Sequence, residues 1–124
     1  MTFNYTDKQL NNLNRDTGVY SVNSEFARRK HKKLVVNKPD SELASYETNT
    51  ITTSDGQEFR VIATKSDPGT GFDGLAVAPI VNGKPDYKNV AVIAVGTDLG
   101  SPTKTDKCKT TFSYYSVIYS NFIV

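Results

Sequence analysis

Val90-Ala91-Val92-Ile93-Ala94-Val95-Gly96-Thr97-Asp98 (VAVIAVGTD) begins with an unbroken apolar run and ends in a glycine followed by a hydroxyl and a carboxylate. A strand with one wet face alternates polar and apolar residues, whereas an unbroken run is the pattern of a strand covered on both faces. Val90 to Val95 is therefore expected to be the central strand of a sheet. Working back from it, Asn82-Gly83 and Asp55-Gly56 supply the left-handed conformations of tight hairpins. Asp67-Pro68-Gly69-Thr70-Gly71 supplies a longer turn. Between these turns lie β-branched runs at Ile51–Thr53, Phe59–Lys65 and Phe72–Ile80. In the second, Phe59, Val61 and Ala63 are expected on one face and Arg60, Ile62 and Thr64 on the other. Pro79 cannot donate to a ladder, which puts it at an edge or bulge.

The N-terminal part reads as helical. Thr6 and Gln9 have the spacing of a capping box, and Tyr5 and Leu10 that of a hydrophobic staple. Leu10 and Leu13 continue an apolar stripe that reaches Tyr20 if the helix survives Gly18. A second helix is expected to open at Asn23 or Ser24, with Glu25 in its first turn and Arg28, Arg29, Lys30, Lys32 and Lys33 toward its end, an order that complements the helix dipole. Val36 to Glu47, around Pro39-Asp40-Ser41, reads as a linker or loosely packed turn. The pattern is an α+β or partial α/β fold, in which N-terminal helices precede an antiparallel meander that leads to one buried strand.

Composition narrows the function classes. The chain has 124 residues, 37% hydrophobic and 23% charged, with a net charge of +2. That charge is too small for the whole molecule to bind nucleic acid or a membrane surface electrostatically, so no nucleic-acid partner is expected. The single cysteine, Cys108, rules out an internal disulfide and a Cys-rich metal site. The N-terminus lacks the basic-then-apolar pattern of a conventional signal peptide, and no apolar run has the length of a membrane span. Those features suit a cytoplasmic protein or one exported by another route, and nothing in the chain calls for a cofactor.

Leu10 to Asn23 (LNNLNRDTGVYSVN), Phe59 to Ala78 (FRVIATKSDPGTGFDGLAVA) and Val90 to Asp98 resemble the N-terminal region of bacterial lipase-like proteins related to the class 3 lipases, a branch of the α/β-hydrolases. The resemblance covers residues 1–103 and leaves 104–124 as a divergent tail. It implies an incomplete α/β-hydrolase fold and relatives that cleave carboxylic esters of lipids. It also implies that Gly96 and Thr97 match the oxyanion-hole position, where a pre-aimed N–H is worth roughly 3 kcal/mol in the transition state. The machinery that should follow is absent from the sequence. There is no G-x-S-x-G, and the only histidine, His31, precedes every element that could carry the nucleophile, so the order Ser, Asp or Glu, His is not met. The expectation is a truncated, catalytically inactive lipase-like fragment. The alternative is a non-enzymatic accessory module that docks on a partner such as a full-length lipase-like protein, or on a second copy of itself.

Other candidates weigh less. His31 and Cys108 have the residue types of a thiolate–imidazolium pair but sit in polar, lysine-flanked stretches. The run Ala27 to Lys33 suits phosphate, nucleic acid or acidic lipid headgroups, yet without interleaved aromatics it reads first as a solvated helix face. Asp55, Asp67 and Asp73 lack calcium-loop spacing and read as turn residues. Gly69, Gly71 and Gly74 mimic a dinucleotide fingerprint, but a strand rather than a helix is expected after them. Ser113 to Tyr119 combines high β-propensity with no charge, which makes it an aggregation hazard or an added edge strand.

Overall fold

Two orphan backbone donors are closed reciprocally where the first helix begins. In the computed structural model, which describes residues 3–95 and the backbone of Val117–Ser120, α1 spans Asp7–Leu13. Thr6 Oγ1 accepts from the Gln9 N–H, and Gln9 Oε1 accepts from the Thr6 N–H, each at 3.0 Å. The remaining polar atom of the Gln9 side chain, Nε2, donates to Asp55 Oδ2 at 2.9 Å. Asn12 Oδ1 accepts from the Ser54 N–H at 2.7 Å. The helix is thereby fastened to the Asp55-Gly56 turn, whose Gly56 has φ 89°.

The helix ends at Leu13 and does not continue to Tyr20. Gly18 lies against the Leu13 backbone so closely that a Cβ there would sit 2.1 Å from the Leu13 carbonyl oxygen. A 3₁₀ turn at Val19–Val22 follows, then α2 at Ser24–Arg29. Asn23 caps α2, its Oδ1 accepting from the Glu25 and Phe26 N–H groups at 2.9 and 3.0 Å.

The segment expected to be a loose linker is pinned instead. β1 (Leu34–Val35) pairs in parallel with β2 (Glu47–Thr48). The Glu47 carboxylate accepts from the Ala44 N–H at 2.9 Å and from Lys38 Nζ at 2.9 Å. Buried Asn49 donates to the Lys38 carbonyl and to Asp40 Oδ1, both at 2.8 Å. The polar composition that suggested slack is a set of internal hydrogen bonds, as buried polar groups require.

The larger sheet contains β3 (Thr50–Thr52), β4 (Glu58–Asp67), β5 (Phe72–Val81), β6 (Lys84–Pro85), β7 (Asn89–Val95) and β8 (Val117–Ser120). Its order is β3-β4-β5-β7-β8, with β6 folded back on β5, and every pairing is antiparallel. Asn82 and Gly83 make the β5–β6 turn at φ 55° and 80°, as a two-residue hairpin demands. Pro79 sits where β5 leaves β7 and takes up β6. Its carbonyl accepts from the Asp86 N–H at 2.8 Å, so the missing donor points to that side rather than toward β4.

Leu13, Val19, Val22 and Val35 pack against Ile51, Phe59, Val61, Leu75, Val77, Ala91 and Ile93, which all lie on one face of this sheet. Fully burying each such side chain is worth about 1.5–3 kcal/mol. The architecture is α+β: short helices on one face of a mostly antiparallel sheet. Tyr5 closes one end of the core. Its ring stacks on Phe59 at 5.5 Å, its hydroxyl donates to the Asn89 carbonyl at 2.6 Å, and burial pushes its phenol well up.

Two strand expectations are corrected. The middle strand of the order is β5, and β7 lies between β5 and β8. Ala91 and Ile93 are fully buried on the helical side, whereas on the other side Val90 is buried but Val92 and Ala94 are only partly covered. An apolar run reports what both faces are made of, not whether both are covered. Second, Ala63 does not share a face with Phe59 and Val61. Val61 pairs with Val77 and Ala63 with Ala76, leaving Ile62 as an extra residue, a β-bulge that exchanges the faces beyond it. No described helix is long and apolar enough to cross a membrane.

Gly18→Ala should lower stability by about 2–3 kcal/mol, because the nearest neighbour is backbone and must shift. Urea denaturation of the variant beside the parent checks this.

Candidate functional site

β7 leads to Gly96 and Thr97, the pair that the resemblance makes an oxyanion-hole remnant. Both lie outside the described residues, as does Cys108. The strand positions that border them are described. Val95, the last described residue of β7, pairs with Asp73 of β5, and Asp73 pairs with Ser66 of β4. Ser66 Oγ donates to Asp73 Oδ1 at 2.7 Å.

Asp73 lies on the helical side of the sheet, in line with Leu75 and Val77. Burial pushes its carboxyl above the usual carboxylate range, while hydrogen bonds from Ser66 and Asn23 act in the opposite sense. The Tyr20 phenol is raised as well, first by burial and then by the charges of Asp16 and Asp73. The group therefore joins a serine hydroxyl, a half-buried carboxylate, an amide and a phenol. Chemically it can accept hydrogen bonds and hold a proton. It cannot generate a serine nucleophile, because the Ser66 hydroxyl has a carboxylate and not an imidazole as its partner.

His31 lies elsewhere in the fold. It is exposed just past α2, with its backbone left-handed at φ 58°. The His31 N–H donates to the Arg28 carbonyl at 3.2 Å and the Lys32 N–H to the Ala27 carbonyl at 2.8 Å, the two bonds of a Schellman ending. Its role is to terminate the helix in a conformation usually given to glycine. The basic run is divided by this ending: Arg28 and Arg29 close α2, Lys30 is its C-cap, and Lys32 and Lys33 follow the left-handed His31. All are exposed. Arg28 meets Glu25 at 3.7 Å, and the Arg29 guanidinium lies 5.7 Å from the Phe26 ring centre.

The aspartates separate in the same way. Asp55 is a turn residue, its carboxyl held below the usual range by the Thr53 hydroxyl, the Gln9 amide and the Gln57 N–H. Asp67 is another, with Oδ1 accepting from the Gly69 N–H at 3.0 Å. Asp73 is a strand residue, contrary to the turn reading. The signal was present: an aspartate at the same parity as Leu75 and Val77 faces inward with them. Gly71, at φ 77°, leads into β5, so a strand does follow the glycine-rich turn. Among the described residues no three His, Cys, Asp or Glu side chains are grouped to hold a metal ion.

Two hollows accompany these groups. One, of about 520 Å³, lies between α2 and the β1–β2 pair. The other, of about 190 Å³, lies on the sheet around Ala63, Gly74, Ala76 and Val92. No family model, curated protein or solved structure matches the chain.

Asp73→Asn keeps an acceptor for Ser66 while removing a charge that folding disfavours. The raised carboxyl costs stability above its folded-state pKa and relieves that cost as pH falls through it. The variant should therefore melt slightly higher at pH 7, by less than about 1 kcal/mol because water reaches the group. It should match the parent below the carboxylate range, and thermal melts across pH 3–8 read the difference. His31→Gly removes the left-handed strain and should stabilise the fold by about 1 kcal/mol. Thermal denaturation at one pH tests it.

Proposed function

We propose that this chain is a lipase-like scaffold without hydrolytic machinery, and that it works as a binding or accessory module rather than as an enzyme. The observation that carries the reading is the direction of the strands beside β7. In an α/β-hydrolase the nucleophile elbow sits at the C-terminal end of a parallel strand, so that the serine and the oxyanion donors meet at one edge of the sheet. Both neighbours of β7, namely β5 and β8, run antiparallel to it. A turn following either neighbour emerges at the end of the sheet opposite Val95, the last described residue of β7. The sequence adds that G-x-S-x-G is missing and that His31 is committed to a helix ending.

On this reading the resemblance to class 3 lipases concerns the lead-in helices and meander, an incomplete α/β-hydrolase. Thr97 is a remnant position, and the partner is a protein: a full-length lipase-like relative or a second copy. Size-exclusion chromatography with light scattering, followed by assay of the folded peak with a short-chain chromogenic ester, tests it. The expected result is a folded species whose ester turnover equals the buffer blank and is unchanged by Thr97→Ala. Turnover abolished by Thr97→Ala would reinstate a hydrolase, and turnover that survives it would sink the lipase resemblance too.

A further inference from the structure

The hollow of about 520 Å³ between α2 and the β1–β2 pair falls within the size range of small-molecule sites. Its walls have two characters. Ala27, Leu34 and the Tyr46 ring line it with apolar surface, and Arg28 and Lys32 bring positive charge to it. The backbone holds both walls. The Lys32 N–H is bonded to the Ala27 carbonyl by the helix ending, and the Leu34 N–H donates to the Tyr46 carbonyl at 2.8 Å. Tyr46 is 64% exposed, the largest exposure among the large hydrophobic side chains described, although it stands beside a pocket. Among the described residues Arg28 is paired with Glu25 at 3.7 Å, with both side chains more than two-thirds exposed, a contact too weak to neutralise it. Phe26 just before the cationic run lies by Arg29, and no aromatic residue interrupts the run itself. The fold supplies one from a distant segment.

We infer that this hollow binds a small organic anion, a carboxylate or phosphate on an apolar or planar body, with the charge held by Arg28 and Lys32 and the body resting on Leu34 and the Tyr46 ring. Charge complementarity favours this occupant. Arg29, Lys30 and Lys33 are neighbours of the two lining cations in the sequence, and the carboxylate of Glu25 is the one acidic group among the lining residues. A guanidinium presents paired donors to carboxylate or phosphate, and an ammonium adds a point charge. An exposed phenol ring offers a face on which a flat or apolar body stacks.

The inference rests on the binding-module reading but is tested apart from it. Phenyl phosphate, benzoate and neutral benzyl alcohol are titrated into the ¹⁵N-labelled full chain, following backbone amide shifts. The expected result is saturable shifts at Ala27, Lys32, Leu34 and Tyr46 with either anion and none with the alcohol. Tighter binding of phenyl phosphate than of benzoate would assign the head as phosphate, and the reverse as carboxylate. Arg28→Ala with Lys32→Ala should weaken binding about tenfold or more, Tyr46→Ala should weaken it several-fold, and Glu25→Gln should tighten it by freeing Arg28. These side chains are exposed, and the dispersion of the remaining amide signals verifies that each variant is folded. No saturable shift up to the solubility of the probes, equal shifts with benzyl alcohol, or undiminished binding by the doubly neutralised variant would each overturn the site. Ester turnover alongside an intact titration would defeat the module reading and leave the anion site standing.

Discussion

One residue too many in β4 determines what the sheet turns inward. Strand side chains alternate with a period of two, so a single insertion sends every later side chain to the other face. Before Ile62, Phe59 and Val61 face the helices; after it, Thr64 and Ser66 do, opposite Leu75 and Asp73. Without the extra residue Ala63 and Lys65 would stand opposite Leu75 and Asp73, in the places that Thr64 and Ser66 hold as exposed side chains. The bulge therefore sets Ser66, in place of Lys65, opposite Asp73. The Ser66–Asp73 hydrogen bond beside the end of β7 is a product of strand register before it is anything chemical.

The helical layer is thin, and polar ties hold it where apolar area is scarce. α1 contributes Leu13 as its one fully buried hydrophobic residue, and α2 contributes Ala27. Gln9 compensates by using its carbonyl oxygen within the capping box and its amide nitrogen on Asp55, so that one side chain both starts the helix and anchors it to a hairpin. Glu47 and Asn49 do the same for the segment between α2 and β3. A typical net hydrogen bond contributes about 1 kcal/mol, but leaving such a buried group unpaired costs more. These ties therefore specify the arrangement more strongly than they stabilise it. Glu47 carries that specificity into pH dependence. The Ala44 N–H and then the Lys38 ammonium hold its carboxyl below the usual range, so its contribution is present at neutral pH and is lost as pH falls through that lowered value.

What could be read from the sequence was local, and what could not was set by distant partners. The Thr6–Gln9 cap, Asn23 at the start of α2, and the Asp55-Gly56 and Asn82-Gly83 hairpins each depend on a few adjacent residues, and each stands where local chemistry put it. The bulge at Ile62 leaves no compositional trace, because an isoleucine suits either face. The segment from Val36 to Glu47 resembled a linker because polar residues bonded to one another and polar residues in water look alike along a chain. β7 was misjudged for a related reason: Val92 and Ala94 are apolar whether or not anything covers them. Of the candidate site, Thr97 was proposed through resemblance, and Asp73 was overlooked although its parity with Leu75 and Val77 was visible. The meeting of Arg28 and Lys32 with Tyr46 was beyond sequence reasoning, since it requires the β1–β2 pairing.

Electrostatics bears on the choice between cleaving and binding. The net charge of +2 hides a division: Asp16 and Asp73 both act on Tyr20, and the cations from Arg28 to Lys33 gather in the last turn of α2 and just past it. At physiological salt the Debye length is about 8 Å, so each region acts on what lies next to it and the total matters little. Asp73 pairs with Val95 at the end of β7, and a carboxylate there opposes the build-up of negative charge that an oxyanion hole must stabilise. Burial raises the Asp73 carboxyl but does not convert it into a cation, and the Ser66 hydroxyl donates its hydrogen bond to that acid. The favourable potential for an anion lies at the other region, where guanidinium and ammonium groups border an apolar hollow and no described nucleophile and base are joined. The distribution of charge thus separates the place where the resemblance would put chemistry from the place where this chain is equipped to hold a ligand.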